Sequence, residues 1–252
     1  MVMALEPAFV LHRRPYRDSS LIVELLTRGH GRISALARGA RRSRSRYHGR
    51  LEPFRALLVS WGGRGELATL HQAEENGAAA TVLPPALLVH GFYLNELLLR
   101  LLHRHDPCPE IHAAYGETLT ALAGTTDSAI VQARLRLFEK RLLEALGYGL
   151  NLQYDGREGA PIRPAQRYRY YPQRGALPIT DDLGLQAHDD GVEVQGETLI
   201  ALAAGTLASA TALRESKRLM RMALNRLLGG RPLHSRELVR PGSRHDSDKE
   251  EA

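Results

Sequence analysis

The hydrophobic pattern of the chain changes period at Pro84-Pro85, and this change divides the sequence into two kinds of structure. Before it, apolar residues come in short runs separated by glycine, proline and aspartate, a pattern typical of β-strands and turns. After it, apolar residues recur at three- and four-residue spacing, which is typical of amphipathic helices. The sequence therefore predicts an α+β chain, with one domain over 1–80 and a mainly helical domain over 81–240.

Five runs of strand length precede the change, at 8–13, 20–27, 32–38, 54–61 and 66–72. Turn-forming residues separate them, and the last two are joined by the glycine-rich segment Gly62-Gly63-Arg64-Gly65. Five short strands with partial alternation predict a small closed barrel of the OB-fold type. The connection between the third and fourth strands is the longest, so we expect it to face solvent and to be mobile.

The second part of the chain is predicted to contain five helices, at 86–103, 110–123, 127–146, 197–207 and 212–228. Asp127 or Ser128 is expected to cap the third helix, and Gly147 to end it. Residues 150–187 lack a helical period and are predicted to form an irregular insert of turns and short strands. Residues 241–252 are polar and charged, and we expect a disordered tail there.

Positive charge is concentrated in the first third of the chain. The protein has 34 Lys and Arg against 28 Asp and Glu, and residues 1–80 hold 13 of the arginines with only 7 acids. Six of these arginines, and no acid, lie between positions 38 and 50: Arg38, Arg41, Arg42, Arg44, Arg46 and Arg50. The planar guanidinium keeps its charge and binds two phosphate oxygens at once. The block therefore predicts nucleic-acid binding, with a solvated loop or an acidic partner as the alternatives.

The hairpin loops of the predicted barrel also carry arginine. OB barrels bind strands across one face and through their first and last hairpin loops. Arg14 and Arg17 lie in the first of these loops, and Arg64 lies in the last. Tyr16 and Trp61 lie in or beside them, and an aromatic ring there can stack on a base or pack in the core. The sequence leaves both possibilities open.

A second basic stripe lies on the last long helix, where Arg214, Lys217, Arg218 and Arg221 share one face. Two interpretations remain open at this point. The stripe is either the exposed face of an amphipathic helix or an extension of the nucleic-acid surface.

Metal-binding and catalytic signatures are weak or missing. His103, His105, Cys108 and His112 have ligand chemistry suited to zinc, but they straddle a helix end between prolines, so we expect an ordinary helix corner. The sequence has no phosphate-binding P-loop and no G-x-S-x-G nucleophile elbow. The carboxylate pairs at 181–182 and 189–190 are interpreted as solvated turns rather than a two-metal nuclease site. We therefore expect no cofactor and no enzyme activity.

Cellular location is predicted from what the sequence lacks. A single cysteine, Cys108, excludes an internal disulfide and favours a reducing compartment. No signal peptide and no apolar run of membrane-spanning length are evident, so a cytoplasmic protein without membrane contact is expected.

Short segments along nearly the whole chain resemble the RecO family of bacterial recombination mediators. They are 8–12 with Arg14-Pro15, 19–21, 37–41, 51–54, 62–66, 93–98, 146–149, and 229–233 with 235–238. The resemblance implies an OB-fold followed by a helical domain that binds single- and double-stranded DNA and anneals strands. It also implies work with RecR, binding to the acidic C-terminal tail of the single-strand-binding protein, and help in loading the recombinase.

The resemblance carries two further implications for particular residues. Family members often hold zinc with four cysteines just after the segment at 146–148, but residues 150–187 contain no cysteine. Zinc is therefore not expected, and polar or tyrosine contacts must hold the insert. In some relatives an arginine before the Phe138-Glu139 pair meets the acidic tail, which assigns that role to Arg136, with Lys140 on the same face. The alternative function is an RNA-binding OB-fold protein of RNA processing or translation, since phosphate contacts do not separate DNA from RNA.

Overall fold

The computed structural model describes residues 4–63, 65, 67–77, 82–179 and 190–237. Its N-terminal part is a closed barrel of five strands in the order β1-β2-β3-β5-β4, with β3 and β5 parallel and the other pairs antiparallel. The strands are β1 (Glu6–Tyr16), β2 (Ser20–Thr27), β3 (Gly31–Ala37), β4 (Ala56–Gly62) and β5 (Leu67–Glu75). The predicted five-stranded barrel is confirmed.

Two strand boundaries differ from the prediction for local reasons. β1 extends beyond the predicted run at both ends, because Glu6–Phe9 pairs with β4 and Ala8–Tyr16 pairs with β2, with a register shift between Val10 and His12. β4 begins at Ala56 rather than at 54 because Phe54 has a φ of 72°, which is incompatible with a strand. The Phe54 ring instead packs into the helical core beside Gly91.

Within the described residues, the helical part begins with a 3-10 turn (Pro85–Leu87) and contains six helices. They are α1 (Leu88–Leu101), α2 (Pro109–Ala123), α3 (Ser128–Ala145), α4 (Gly196–Ala204), α5 (Ala210–Leu227) and the single turn α6 (His234–Glu237). The Asp127 carboxylate caps α3 by accepting from the N–H groups of Ala129 and Ile130. Gly205, with a φ of 77°, ends α4 three residues earlier than predicted.

The predicted insert, 150–187, contributes two strands to a small antiparallel sheet, and the third strand follows the insert; the strand order is β7-β6-β8, and the sheet packs against α5. Its strands are β6 (Arg167–Tyr171), β7 (Gly175–Pro178) and β8 (Val192–Gln195). Tyr168 and Tyr170 alternate inward from β6 and are each 2% exposed. Tyrosine contacts therefore supply much of the core of this part.

The barrel and the helices share one hydrophobic core at their junction. The Phe9 ring lies 5.0 Å from the ring of Tyr115 and 4.8 Å from that of His112. The Asn95 side chain donates a 2.6 Å hydrogen bond to the carbonyl oxygen of Leu11, at the bend of β1. Arg104, just after α1, bonds Glu24 of β2 at 2.8 Å. The helical part is thus held against one side of the barrel.

Some predicted features lie outside the described residues, namely the domain boundary at 80–81 and the tail at 241–252. Within the described ranges, every helix is too short or too polar to cross a bilayer.

Candidate nucleic-acid interface

The predicted arginine block forms the loop between β3 and β4, here called the arginine loop (residues 38–50). Tyr47 in this loop and Leu51 just after it are buried in the barrel core, 3% and 2% exposed respectively. The Tyr47 hydroxyl bonds the carbonyl oxygen of Leu70, and Arg50 donates to that of Ala73 at 3.2 Å. The expectation of a mobile loop is therefore corrected, since the loop backbone is anchored to β5.

The arginines of this loop are exposed, as the sequence indicated. They are Arg38, Arg41, Arg42, Arg44, Arg46 and Arg50. Among the described residues, none of the six forms an ion pair with a carboxylate. The Arg46 guanidinium lies 4.9 Å from the centre of the Tyr47 ring, so even this contact leaves its charge available. The loop therefore presents uncompensated positive charge on a fixed backbone.

The arginine loop and the β1–β2 turn form one cationic surface. The backbone N–H of Arg41 donates to the carbonyl oxygen of Ser19 at 2.9 Å, and its guanidinium donates to that of Arg17 at 3.3 Å. Arg17 has a φ of 51°, and its guanidinium lies 5.3 Å from the centre of the half-buried Tyr16 ring. Arg14, in the last part of β1, is exposed as well. The structure thus brings Arg14, Arg17 and the arginine loop to one end of the barrel.

The last hairpin of the barrel lies at the other end. The Trp61 ring meets the His30 ring edge-on at 5.3 Å, beside the β2–β3 turn. The β1–β2 and β2–β3 turns are at opposite ends of β2. Because a strand rises about 3.3 Å per residue, the length of β2 separates the two turns by about 25 Å. Arg64 lies outside the described residues, and its neighbour Trp61 is only 7% exposed. Trp61 is therefore a core residue, and the two hairpin loops do not flank one another.

The basic stripe on α5 is a separate surface. Arg214, Lys217, Arg218 and Arg221 are all exposed, while Leu213, Met220 and Leu224 on the other side of the helix are buried. α5 packs against α3, α4 and β8. The Arg218 guanidinium donates to the backbone carbonyl of Glu193 in β8 at 3.2 Å, which fixes the middle of the stripe.

Arg136, which the resemblance assigns to partner binding, is buried between helices. Its residue exposure is 7%, and its guanidinium bonds the Glu139 carboxylate at 2.6 Å. Tyr93 of α1 donates to the same carboxylate oxygen. The Arg136 Nε is buried and has no hydrogen-bond partner in the part of the chain that the structure describes. The charge of Arg136 thus lies mainly inside the α1–α3 contact.

Lys140, the second predicted partner residue, faces a different space. Its ammonium bonds Glu144 at 3.2 Å, and it lines a cavity of about 180 Å³ with Leu150 and Ala203. Helical spacing correctly places it one turn from Arg136, but the structure does not bring the two into one open groove.

His90 is a neighbour of Arg136 that the sequence did not reveal. Burial, followed by the charges of Arg136 and Lys217, lowers the pKa of the His90 imidazole. These three side chains, from α1, α3 and α5, therefore lie near one another and are here called the α1–α3–α5 cluster, in which Arg136 and Lys217 carry the positive charge. No local sequence pattern relates them, because they are brought together only by helix packing.

The histidines and the cysteine of the segment after α1, which the sequence raised as possible zinc ligands, make separate contacts. The backbone N–H of His105 donates to the backbone carbonyl oxygen of Arg32, and the His112 ring packs on the Phe9 ring. Burial raises the pKa of the Cys108 thiol, which disfavours the thiolate that binds metal. Within the described ranges, no three His, Cys, Asp or Glu side chains are grouped to hold a metal ion. Of the paired carboxylates at 181–182 and 189–190, only Asp190 lies within the described residues.

Comparisons with known proteins cover almost the entire chain. Residues 1–76 match the family model "Recombination protein O N terminal", and residues 85–237 match "Recombination protein O C terminal". The chain is 48% identical over 237 residues to the DNA repair protein RecO of Coxiella burnetii (strain RSA 331 / Henzerling II), covering 94% of this chain and 98% of that protein. Identity to the protein of the same name from Alkalilimnicola ehrlichii is 51% over 237 residues, covering 93% and 90% of the two chains. For Methylococcus capsulatus it is 46% over 239 residues, covering 95% and 94%.

Proposed function

The chain belongs to the RecO family of DNA repair proteins, and from this premise we propose that it is a recombination mediator that binds single- and double-stranded DNA and anneals complementary strands. The observation that carries the proposal is the arginine loop, which holds six exposed arginines on an anchored backbone, and no carboxylate of the described residues forms an ion pair with them. Arg14 and Arg17 extend the same surface.

The proposed mechanism is electrostatic. Each arginine that contacts a phosphate displaces counterions from the DNA, so affinity should fall steeply as salt rises. Anchoring at Tyr47 and Leu51 orders the loop before DNA arrives, which lowers the entropic cost of binding. Two strands held near the same positive surface repel each other less, and annealing then needs no covalent step. On this proposal the protein is not an enzyme.

The α5 stripe is proposed as a second DNA surface, with Lys217, Arg218 and Arg221 as its contacts. Because α5 packs on α3, α4 and β8, this surface lies on the helical part rather than on the barrel. Two cationic surfaces on one chain would hold two strands, or two parts of one duplex, at the same time.

We further propose that RecR and the acidic tail of the single-strand-binding protein are partners, and that binding them helps to load the recombinase. The α1–α3–α5 cluster supports a tail site, because Arg136 and the exposed Lys217 put positive potential at one place, beside the His90 imidazole. The buried Arg136 would act partly through its neighbours. The structure offers less support for Lys140, since Glu144 already neutralises its charge.

The decisive experiment measures affinity for single-stranded DNA as a function of salt, without nucleotide or metal. We expect a steep linear fall of log affinity against log salt, and annealing of complementary strands under the same conditions. Competition with RNA of equal length and sequence tests the alternative function. A clear preference for RNA, or a flat salt dependence, would overturn the DNA proposal.

A further inference from the structure

The module between α3 and α4 (residues 147–179 and 190–195) is the place where relatives with four cysteines would hold zinc. The donor set of this chain does not fit such a site. Residues 147–179 and 190–195 contain no cysteine and no histidine, and their acids are Asp155, Glu158, Asp190 and Glu193. Carboxylates without sulfur or imidazole ligands do not make the tetrahedral site that is typical of structural zinc. Something else must therefore hold the first half of the module together.

The Asp155 carboxylate is buried in that half and accepts several backbone hydrogen bonds. One oxygen accepts from the N–H groups of Arg157 at 2.9 Å and Glu158 at 2.7 Å, and the other accepts from that of Ala160 at 3.1 Å. The residue is 7% exposed. The N–H of Glu158, with those of Arg157 and Ala160, holds the pKa of this carboxyl below its usual value. A single side chain thus closes the whole 155–160 turn.

The closed turn is joined to the sheet by backbone contacts. The N–H of Asp155 donates to the carbonyl oxygen of Ala160 at 2.8 Å, and that of Gly156 donates to Ala176 of β7 at 2.8 Å. A Cβ at Gly156 would lie 1.6 Å from the carbonyl oxygen of Arg174, so the approach of the two segments admits only glycine. Asp155 and Gly156 together therefore connect the turn to β7.

We propose that Asp155 is the non-metal cross-link of this module, and that the module folds and supports α5 without any bound metal. A carboxylate that accepts hydrogen bonds from several backbone N–H groups fixes several chain positions to one charged centre, as a bound metal ion does through its ligands. The contacts are made with oxygen and nitrogen only, so neither chelators nor thiol oxidation can remove them.

The cross-link matters to the rest of the chain because the module positions α5. The backbone N–H of Gln195 and the hydroxyl of Thr198 both donate to the Glu215 carboxylate, at 2.9 and 2.6 Å. Arg218 of the basic stripe bonds the backbone of Glu193 in β8. Loosening the module should therefore loosen one side of α5.

The test compares Asp155→Ala and Asp155→Asn with Glu158→Ala, which removes an exposed carboxylate from the same turn. We expect Tm to fall by about 5 °C or more in Asp155→Ala and less in Asp155→Asn, while Glu158→Ala stays near the parent protein. Limited proteolysis should show new cleavage within 150–178 in Asp155→Ala. These readouts do not depend on DNA binding, so they can fail without affecting the proposed function, and the reverse also holds.

The parent protein is tested for metal in parallel, by elemental analysis and by Tm with and without a zinc chelator. We expect no stoichiometric zinc and no change in Tm. About one zinc per chain, a Tm lowered by the chelator, or equal stability of Asp155→Ala and Glu158→Ala would each overturn the proposal. If Asp155→Ala does not fold at all, the comparison of Asp155→Asn with Glu158→Ala decides the question.

Discussion

The hydroxyl of Tyr47 donates a 2.8 Å hydrogen bond to the backbone carbonyl oxygen of Leu70, and this contact ties the middle of the arginine loop to β5. Burial is the main reason why the pKa of Tyr47 lies above its usual value, so the phenol stays a donor at any physiological pH. Exposed arginines on both sides of a buried anchor make a surface whose charges are held in place, and among the described residues no carboxylate pairs with them.

Tyr47→Ala should weaken binding to single-stranded DNA without changing its salt slope. The arginines remain, so the number of phosphates contacted is unchanged, but the loop must now be ordered on binding. A loss of about 3- to 10-fold in affinity corresponds to an ordering cost of about 1 kcal/mol. Tyr47→Phe keeps the ring and should lose less. Tyr148→Ala, which removes a tyrosine that is 58% exposed, is the control. A changed slope in Tyr47→Ala would show that the anchor also sets the number of contacts.

Changing Arg41, Arg42 and Arg44 together to Ala should weaken DNA binding and flatten its salt dependence. Each lost phosphate contact lowers the slope by about 0.7 to 0.9. Tm should change little, because these side chains are exposed and Arg41 keeps its backbone bond to Ser19.

The matched control for the arginine loop removes three exposed arginines from the helical part: Arg134, Arg157 and Arg163. This variant has the same net charge as the loop variant, so a general charge effect would lower both slopes equally. Equal slopes in the two variants would contradict the assignment of the loop as the DNA site.

Arg136→Ala should weaken binding of an acidic peptide with an apolar C-terminal residue by about 1–3 kcal/mol, typical of a lost charge-assisted contact. The variant also removes the guanidinium that pairs with the buried Glu139 carboxylate, so its Tm should fall as well. Fluorescence anisotropy below the unfolding range separates the two effects.

Lys217→Ala gives a second test of the same site, because Lys217 is exposed and its removal should not disturb folding. We expect weaker peptide binding in Lys217→Ala and parent-like binding in Arg221→Ala, one turn further along the stripe. If both variants bind the peptide like the parent protein, the α1–α3–α5 cluster is not the tail site.

The contact of His112 with the barrel should make the protein less stable in mild acid. Burial, followed by the charge of Arg28, lowers the pKa of this imidazole. Below about pH 6.5, His112 therefore binds a proton in the unfolded chain but stays neutral in the folded chain. The contribution of neutral His112 is complete above that pH and is lost as the pH falls towards its lowered pKa.

Tm measured at pH 7.5 and 5.5 checks this expectation. The loss on acidification should be smaller in His112→Leu than in the parent protein, while His103→Leu, at an exposed position, should match the parent. An equal loss in parent and His112→Leu would assign the acid sensitivity to other groups, of which His90 is the first to test.

Features that depend on local spacing were predictable from the sequence. The change of period at Pro84-Pro85 separates strands from helices because a strand repeats every two residues and a helix every 3.6. Turn residues placed the strand ends within a few positions, and the six arginines between 38 and 50 were exposed as expected, since a run of uncompensated charge cannot be buried. The cysteine-free insert was visible in the same way.

Only the tertiary structure shows which of these locally predicted residues contact one another. Arg136 lies on an amphipathic helix, but only the packing of α1 and α3 shows that its charge is turned inward to Glu139. Trp61 ends a strand in the sequence, yet the path of the closed barrel puts it in the core beside His30, away from Tyr16. The Asp155 contacts are local, with N–H groups two to five residues further along, but only the tertiary structure shows that Gly156 of this turn pairs with Ala176 of β7. Side-chain roles of this kind depend on non-local pairing of strands and helices, and that pairing is not contained in the spacing of any one segment.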